Sequence, residues 1–392
     1  MCVTTQGRDF LTAADADAAA RAGLPGGRPL TVRHYVPGGR ENGGGIGRLV
    51  GYIVDSACVT GIAHLVTDTR GPRWSVPASP IRLAGAVMAM ARDRLLDAGR
   101  IHHIHIAGRG STARKLVLAA AARLLGSTHV LHLHDYDYAG DFAARPPFQQ
   151  RLVRTMFRGA DRVVVLGGRD RAMLETVLGV DDRRIAVVHN GVPDPGPLPF
   201  RVAEAPLIVF LGRLSERKGV PELLSALADP AMAGLPWRAV LGGDGPVETY
   251  RKQASTLGLS GRVDMPGWLD AGQTRALCRR ADILVLPSRA EGMAMAVIEG
   301  LSHGLSVVTT RVGAHEEAIV DGENGLFVPV GDKDALAATL AGLVGDPHRR
   351  DTLSAKARMS YLSRFSMAAY QRRLETLYRE IARKDRRKVP AR

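Results

Sequence analysis

The chain has 392 residues, 45% hydrophobic and only 5% aromatic, and its 53 Lys and Arg outnumber 39 Asp and Glu for a net charge of +14. That length and balance suit two globular domains and exclude a disordered or fibrous chain. Cys2, Cys58 and Cys278 are too far apart for a metal or redox motif and read as reduced thiols, and no apolar stretch is long enough to span a bilayer.

The amino terminus has no basic segment ahead of an apolar core, so no signal peptide is expected and the protein reads as cytoplasmic. A short helix is expected at 12–22, and the first clear strand at 30–36, "LTVRHYV". A run of glycines from Gly38 to Gly47 follows, ahead of an apolar helix. Such glycines let backbone N–H groups approach a phosphate. The dinucleotide fingerprint fails, because Arg48 stands where glycine is required.

Further strands are predicted in "ACVTGIAHLV", "IHHIHIAG", "THVLHLHD", "ADRVVVLG" and "RIAVVHNG", alternating with helices. That alternation predicts an α/β fold with a parallel, doubly wound sheet. The histidines at 102–106 hint at a metal, but lack carboxylate or cysteine partners and carry little weight. In "AGRGSTARKLVLAAAARLLG" (107–126), Ser111 is placed to cap a helix whose start is ringed by Arg109, Arg114 and Lys115. Those four form a candidate anion site for an acceptor's phosphate. His132 and His134, two apart on a strand, share one face. The "DYD" at 135–137 mimics a metal-binding Asp-x-Asp, and 148–162 reads as a basic amphipathic helix able to lie on a membrane surface.

The Pro-rich "VPDPGPLPF" (192–200) continues neither helix nor central strand and marks the domain boundary. This gives domains of 1–195 and 205–366, with a final amphipathic helix and basic tail over 367–392. The second domain opens with a strand at 206–211, a loop holding Arg213, Arg217, Lys218 and Gly219, and a helix starting near Pro221. Fixed positive charge at a strand-to-helix loop favours a diphosphate. The apolar 282–287 reads as a buried strand, with Glu291 in the loop at its carboxyl end and Glu299 about two turns into a helix over 293–303. A carboxylate accepts two hydrogen bonds and so suits a vicinal diol. A nucleoside diphosphate sugar needs both grips.

The strings "GRLSERKG", "GGDGP", "ADILVLPS", the Glu-x7-Glu pair and "VGAHEEAIVDGENGLFVPVGD", in order through 206–340, resemble the donor half of the retaining glycosyltransferases of family 4. The resemblance implies a GT-B fold, two Rossmann-like domains facing a cleft. It implies that Arg213 and Lys218 contact the donor diphosphate, that Glu299 holds the ribose and that Glu291 holds the transferred sugar. His134 matches a histidine facing the reacting sugar, and Gly44 and Gly45 match a glycine pair that meets donor phosphate and acceptor. Catalysis of this type needs no bound metal and no cofactor beyond the donor substrate. One departure is Ala294, where the family commonly has proline. The "RGST-RK" and "HLH" strings are similar to those of exopolysaccharide transferases acting on polyprenyl-diphosphate-linked sugars.

The charge is one-sided. Residues 1–198 carry +8, 199–371 are neutral and 372–392 carry +6. In a GT-B protein the last helix crosses back to the first lobe, so both excesses fall together and favour an anionic membrane surface or a polyphosphate acceptor. Nucleic acid is not expected as a partner, since no zinc-finger, aromatic RNA-binding or helix-turn-helix pattern is evident. Alternatives to a transferase of lipid-linked or saccharide acceptors are a soluble small-molecule acceptor, a sugar-nucleotide isomerase of similar architecture, and a non-catalytic binder.

Overall fold

The computed structural model describes residues 30–56, 61–73, 75, 77–198 and 205–386. The helix expected at 12–22, Cys2 and Cys58 lie outside these residues. The described chain builds two six-stranded parallel sheets. The first uses β1 (Thr31–Val36), β2 (Ala63–Asp68), β3 (Ile101–Ile106), β4 (His129–Leu133), β5 (Arg162–Val165) and β6 (Ile185–Val187), in the order β2-β1-β3-β4-β5-β6. The second uses β7 (Leu207–Leu211), β8 (Arg238–Gly242), β9 (Val263–Gly267), β10 (Ile283–Leu286), β11 (Ser306–Thr310) and β12 (Leu326–Val328), in the order β12-β11-β10-β7-β8-β9.

The central strands of the second sheet are unbroken apolar runs. β10, "ILVL", is buried along its whole length, as a strand covered on both faces must be. The order of that sheet reverses between β7 and β10, the switch point outside whose carboxyl ends open α/β sheets bind ligands. The Arg213–Gly219 loop leaves β7 and the Glu291 loop leaves β10, so topology alone brings the two sequence motifs to one place.

By packing, the chain forms two compact units. Of the described residues, one unit comprises those up to 105, 117–130 and 375–386, the other 106–116 and those between 131 and 374. In the first, Asp93 on the helix Ala78–Leu96 is buried and pairs with Arg33 of β1 and with Arg100. In the second, Asp side chains start helices at Asp270, Asp332 and Asp346, and Asp270 forms a reciprocal capping box with Gln273. The last helix spans Met367–Arg386. The Pro-rich segment is not loose where it is described: Val192 N–H donates to Phe365 O at 3.2 Å, and Val192 O accepts from Met367 N–H at 2.9 Å and Tyr361 Oη at 3.0 Å.

Candidate functional site

The loop after β7 turns sharply at Gly219, φ +72°, whose missing Cβ would fall 2.1 Å from Pro287 O. Only glycine fits a left-handed turn this close to the end of β10. That contact sets the single turn Glu216–Lys218 against the Glu291 loop. Lys218 Nζ lies 2.5 Å from Glu291 Oε1, and Arg217 Nη1 lies 3.5 Å from the same oxygen. Burial alone would raise the Glu291 carboxyl. The charge and hydrogen bond of Lys218, with Arg217 and Ser288, overcome this and hold it below the ordinary glutamate value. Arg213 is 62% exposed and pairs with Asp244 at 3.0 Å. It is placed by the "GGDG" loop, where Gly243 approaches Gly212 O too closely for any Cβ.

Glu299 is buried within the helix Met295–Ser302. That helix starts two residues later than the sequence predicts, so Glu299 sits one turn in rather than two. The delay has a cause: Ala294 adopts φ −67° and ψ 122°, extended backbone with the φ that proline imposes. The loop therefore keeps a proline-like shape without a proline. Gly313, φ +57°, packs on the Glu291–Gly292 peptide, where a Cβ would fall 2.1 Å from Gly292 O. Ala314 N–H donates to Gly292 O at 2.7 Å.

The end of β4 meets this loop. A Cβ built at Gly292 would lie 3.5 Å from the carbonyl oxygens of both His134 and Asp135. His134 and Glu291, 157 positions apart, thus border one place. Burial pushes the His134 imidazole down to about 3, so it is neutral. The Asp135 carboxyl is raised by burial. The "DYD" string is a turn: Asp135 Oδ1 accepts from Asp137 N–H, and Asp137 caps the helix Tyr138–Ala143 through Gly140 N–H.

The four residues of the candidate acceptor site divide. Arg109 is exposed and opens the helix Arg109–Leu124 with φ +46°, a left-handed value unique among the described non-glycine residues. Its N–H donates to Asp141 Oδ2 at 3.0 Å, its carbonyl accepts from Arg145 at 3.0 Å, and its Nη2 donates to Tyr136 Oη at 3.1 Å. Such strain persists only where the surroundings over-determine it. Ser111 and Lys115 are buried, and Arg114 is half-buried. Ser111 Oγ accepts from Ala107 N–H at 3.3 Å, so it caps from inside the first turn rather than ahead of it.

Gly44 and Gly45 belong to the first unit. Here the helix begins earlier than predicted, at Gly44, so both lie in its first turn rather than in a loop. The glycines that packing requires are Gly43 and Gly47, whose Cβ atoms would strike Gly39 O at 2.5 and 2.6 Å. A Cβ at Gly44 or Gly45 would meet nothing within 4 Å. Their Cα atoms face open space, as an approaching ligand needs.

Several residues at the site escaped the sequence reading. Arg217 stacks over the Tyr136 ring at 4.6 Å and donates to Ala290 O at 2.6 Å, joining the ends of β4, β7 and β10. Glu317 accepts from Gly168 N–H and pairs with His189, each at 2.6 Å. Asn190 holds Met293 O at 2.9 Å. Arg217 stood in a string already singled out, but nothing local shows which of two adjacent cations turns inward. Asn190 and Glu317 also lay in strings already singled out, but nothing in those strings assigned them a contact.

The fold is that of a two-sheet glycosyltransferase, and sequence comparison agrees. The pattern of "Glycosyl transferases group 1" matches residues 200–360, and that of a "Glycosyl transferase 4-like domain" matches 62–191. The chain belongs to the family-4-type glycosyltransferases of GT-B fold. It is 33% identical over 210 residues to the lipopolysaccharide core biosynthesis glycosyltransferase LpsE of Rhizobium meliloti, a match spanning 54% of this chain and 58% of that one. It superposes on sucrose-phosphate synthase from Thermosynechococcus elongatus with a TM-score of 0.75 at 19% identity, over 90% of this chain and 99% of that one. The Anabaena protein HepE in complex with UDP-glucose gives 0.70 at 19%, over 89% and 99%.

Proposed function

We propose that the protein is a retaining glycosyltransferase, moving a hexose-type sugar from a nucleoside diphosphate sugar to a saccharide or polyprenyl-diphosphate-linked acceptor. The observation that carries this reading is the Lys218–Glu291 pair, pressed between the ends of β7 and β10 and against the His134 strand end. A donor's diphosphate would take Lys218 from Glu291. The freed carboxylate would then accept hydrogen bonds from the sugar. Departure of the diphosphate builds negative charge, which Lys218, Arg213 and the amino end of the helix Val220–Leu227 stabilise more in the transition state than in the bound donor. Attack from the face that the diphosphate leaves gives retention with no protein nucleophile, and neutral His134 would accept or donate a hydrogen bond at the reacting sugar.

HepE, a solved relative in fold, carries UDP-glucose, which supports the donor class. Exposed Arg109, held in a strained backbone beside Tyr136, is the member of the acceptor set best placed to meet a phosphate. A membrane-bound acceptor is supported by the first unit. Ile81, Met88, Leu95 and Leu96 stand exposed on the helix Ala78–Leu96 among Arg82, Arg92 and Arg94, with exposed Val117 and Leu124 on the neighbouring helix. Arg94 donates to Leu125 O at 2.9 Å and ties the two helix ends together. No helix of the described residues is long and apolar enough to cross a membrane. Catalysis by the residues named requires no metal.

The test is a thermal-shift screen of nucleoside diphosphate sugars, followed by transfer assays of the stabilising donors on lipid-linked and free saccharides. Interconversion of the donor with no acceptor present would point instead to an isomerase.

A further inference from the structure

Three histidines of the first unit meet inside its core. His34 on β1 and His103 on β3 are register partners, and His105 lies two residues on, so all three side chains share one face of the sheet. All three are fully buried. One nitrogen from each lies within 4.8 Å of the other two. His34 Nδ1 and His105 Nε2 face each other at 3.0 Å, and the His103 and His105 rings stack 4.5 Å apart at 9°. An apolar core has no need of three converging imidazoles, since aliphatic side chains would fill the same space with no polar atoms to satisfy.

We propose that His34, His103 and His105 form a metal site for a zinc-class divalent cation, held as a structural ion. Four-coordinate zinc takes imidazole nitrogens at about 2.0–2.1 Å, which sets neighbouring ligand nitrogens about 3.3 Å apart. The 3.0 Å gap between His34 Nδ1 and His105 Nε2 needs to open by only a few tenths of an ångström. The ligating form of histidine is the neutral one.

Outer partners are also in place. His103 Nδ1 is 2.5 Å from Tyr378 Oη, a contact that fixes the orientation of the ring. His34 Nε2 is 3.0 Å from His64 Nδ1, and a proton on His34 Nε2 donated there leaves Nδ1 free to ligate. Ligating histidines are generally oriented by just such a second hydrogen bond. The ion would clip β1 to β3 and, through Tyr378, to the last helix.

The full-length protein, stripped with chelator, is titrated with Co²⁺ and then Zn²⁺. The expected result is one equivalent per chain, visible ligand-field bands of four-coordinate Co²⁺ that Zn²⁺ abolishes, and a raised melting temperature with Zn²⁺. His103→Gln and His105→Gln should each abolish the bands, and Tyr378→Phe should weaken affinity about 10–100-fold. The proposal is overturned if the wild-type protein shows neither bands nor a melting shift. It is equally overturned if folded His103→Gln and His105→Gln bind as the wild type does. Should those variants fail to fold, Tyr378→Phe decides, since unchanged affinity removes the outer partner on which the site is built.

Discussion

Lys218 and Glu291 neutralise each other across the switch point of the second sheet, at 2.5 Å, with side chains 12% and 9% exposed. Removing one partner strands the other charge in a dry place. We therefore expect Lys218→Met to cost both activity and stability: about 2–4 kcal/mol of transition-state stabilisation, tens- to nearly a thousandfold in kcat/KM, and a clear drop in Tm. Lys218→Met with Glu291→Gln should recover much of the Tm and none of the turnover. Calorimetry and steady-state kinetics on the four-member cycle check this. Wild-type kcat/KM in Lys218→Met would remove the residue from the site.

Arg213 gives the contrasting case. Its ion pair with Asp244 lies at the surface, where such pairs contribute about 0–1 kcal/mol. Arg213→Ala should melt within a degree or two of wild type and still lose tens-fold or more in kcat/KM. Retained activity would make the pair a surface ornament and remove Arg213 from the diphosphate grip.

For Glu299, ribose contacts are nearly the same in the ground and transition states, so Glu299→Ala should weaken binding of the free nucleoside diphosphate with little change in kcat. Glu291→Ala should lower kcat more. Isothermal titration with the nucleotide found in the thermal-shift screen checks the first. Equal affinity in variant and wild type would exclude Glu299 from the nucleotide subsite.

Asp170, at the start of the helix Gly168–Met173, is raised to about 6 by burial, with Asp135 and Glu317 adding to the effect. A carboxyl that is raised on folding binds its proton more tightly in the native state. It contributes stability below about pH 4 that is lost as pH rises through about 6. Asp170→Asn should flatten the melting temperature between pH 4 and 7 and leave the variant the more stable at pH 7.5. A profile parallel to wild type would refute the assignment.

The exposed apolar residues of the helix Ala78–Leu96 and their arginine neighbours predict binding to anionic vesicles that falls steeply with salt. Leu95→Glu with Leu124→Glu should abolish it, as Leu95 is 87% and Leu124 89% exposed. The helix Pro147–Arg158 should contribute the smaller share. Arg154 and Arg158 are committed to the carbonyls of Val177 and Leu178. Co-sedimentation with anionic and neutral vesicles, at low and high salt, separates these surfaces.

How legible was the site in the sequence? β7 and β10 were plain, because a strand buried on both faces must be apolar throughout, and their loops then placed Lys218 and Glu291 by topology alone. The start of the Glu299 helix was misjudged by two residues, since its end point depends on the extended Ala294 and not on propensity. The buried state of Ser111 and Lys115 was hidden too, because their spacing fits a surface cap as well as an inner one. Arg217 on Tyr136, and His189 on Glu317, join positions 81 and 128 residues apart. Single-sequence periodicity reports what a residue faces, not which distant residue it faces.

The bonds that Val192 makes to Tyr361, Phe365 and Met367 have a kinetic meaning. They close a loop of some 170 residues, and contacts of such long sequence separation form only after the chain between them has collapsed. The Pro-rich segment should therefore be among the last parts of this unit to acquire its native hydrogen bonds on refolding. A chain ending before Phe365 should leave amides near Val192 exchanging rapidly while the β7–β12 core stays protected.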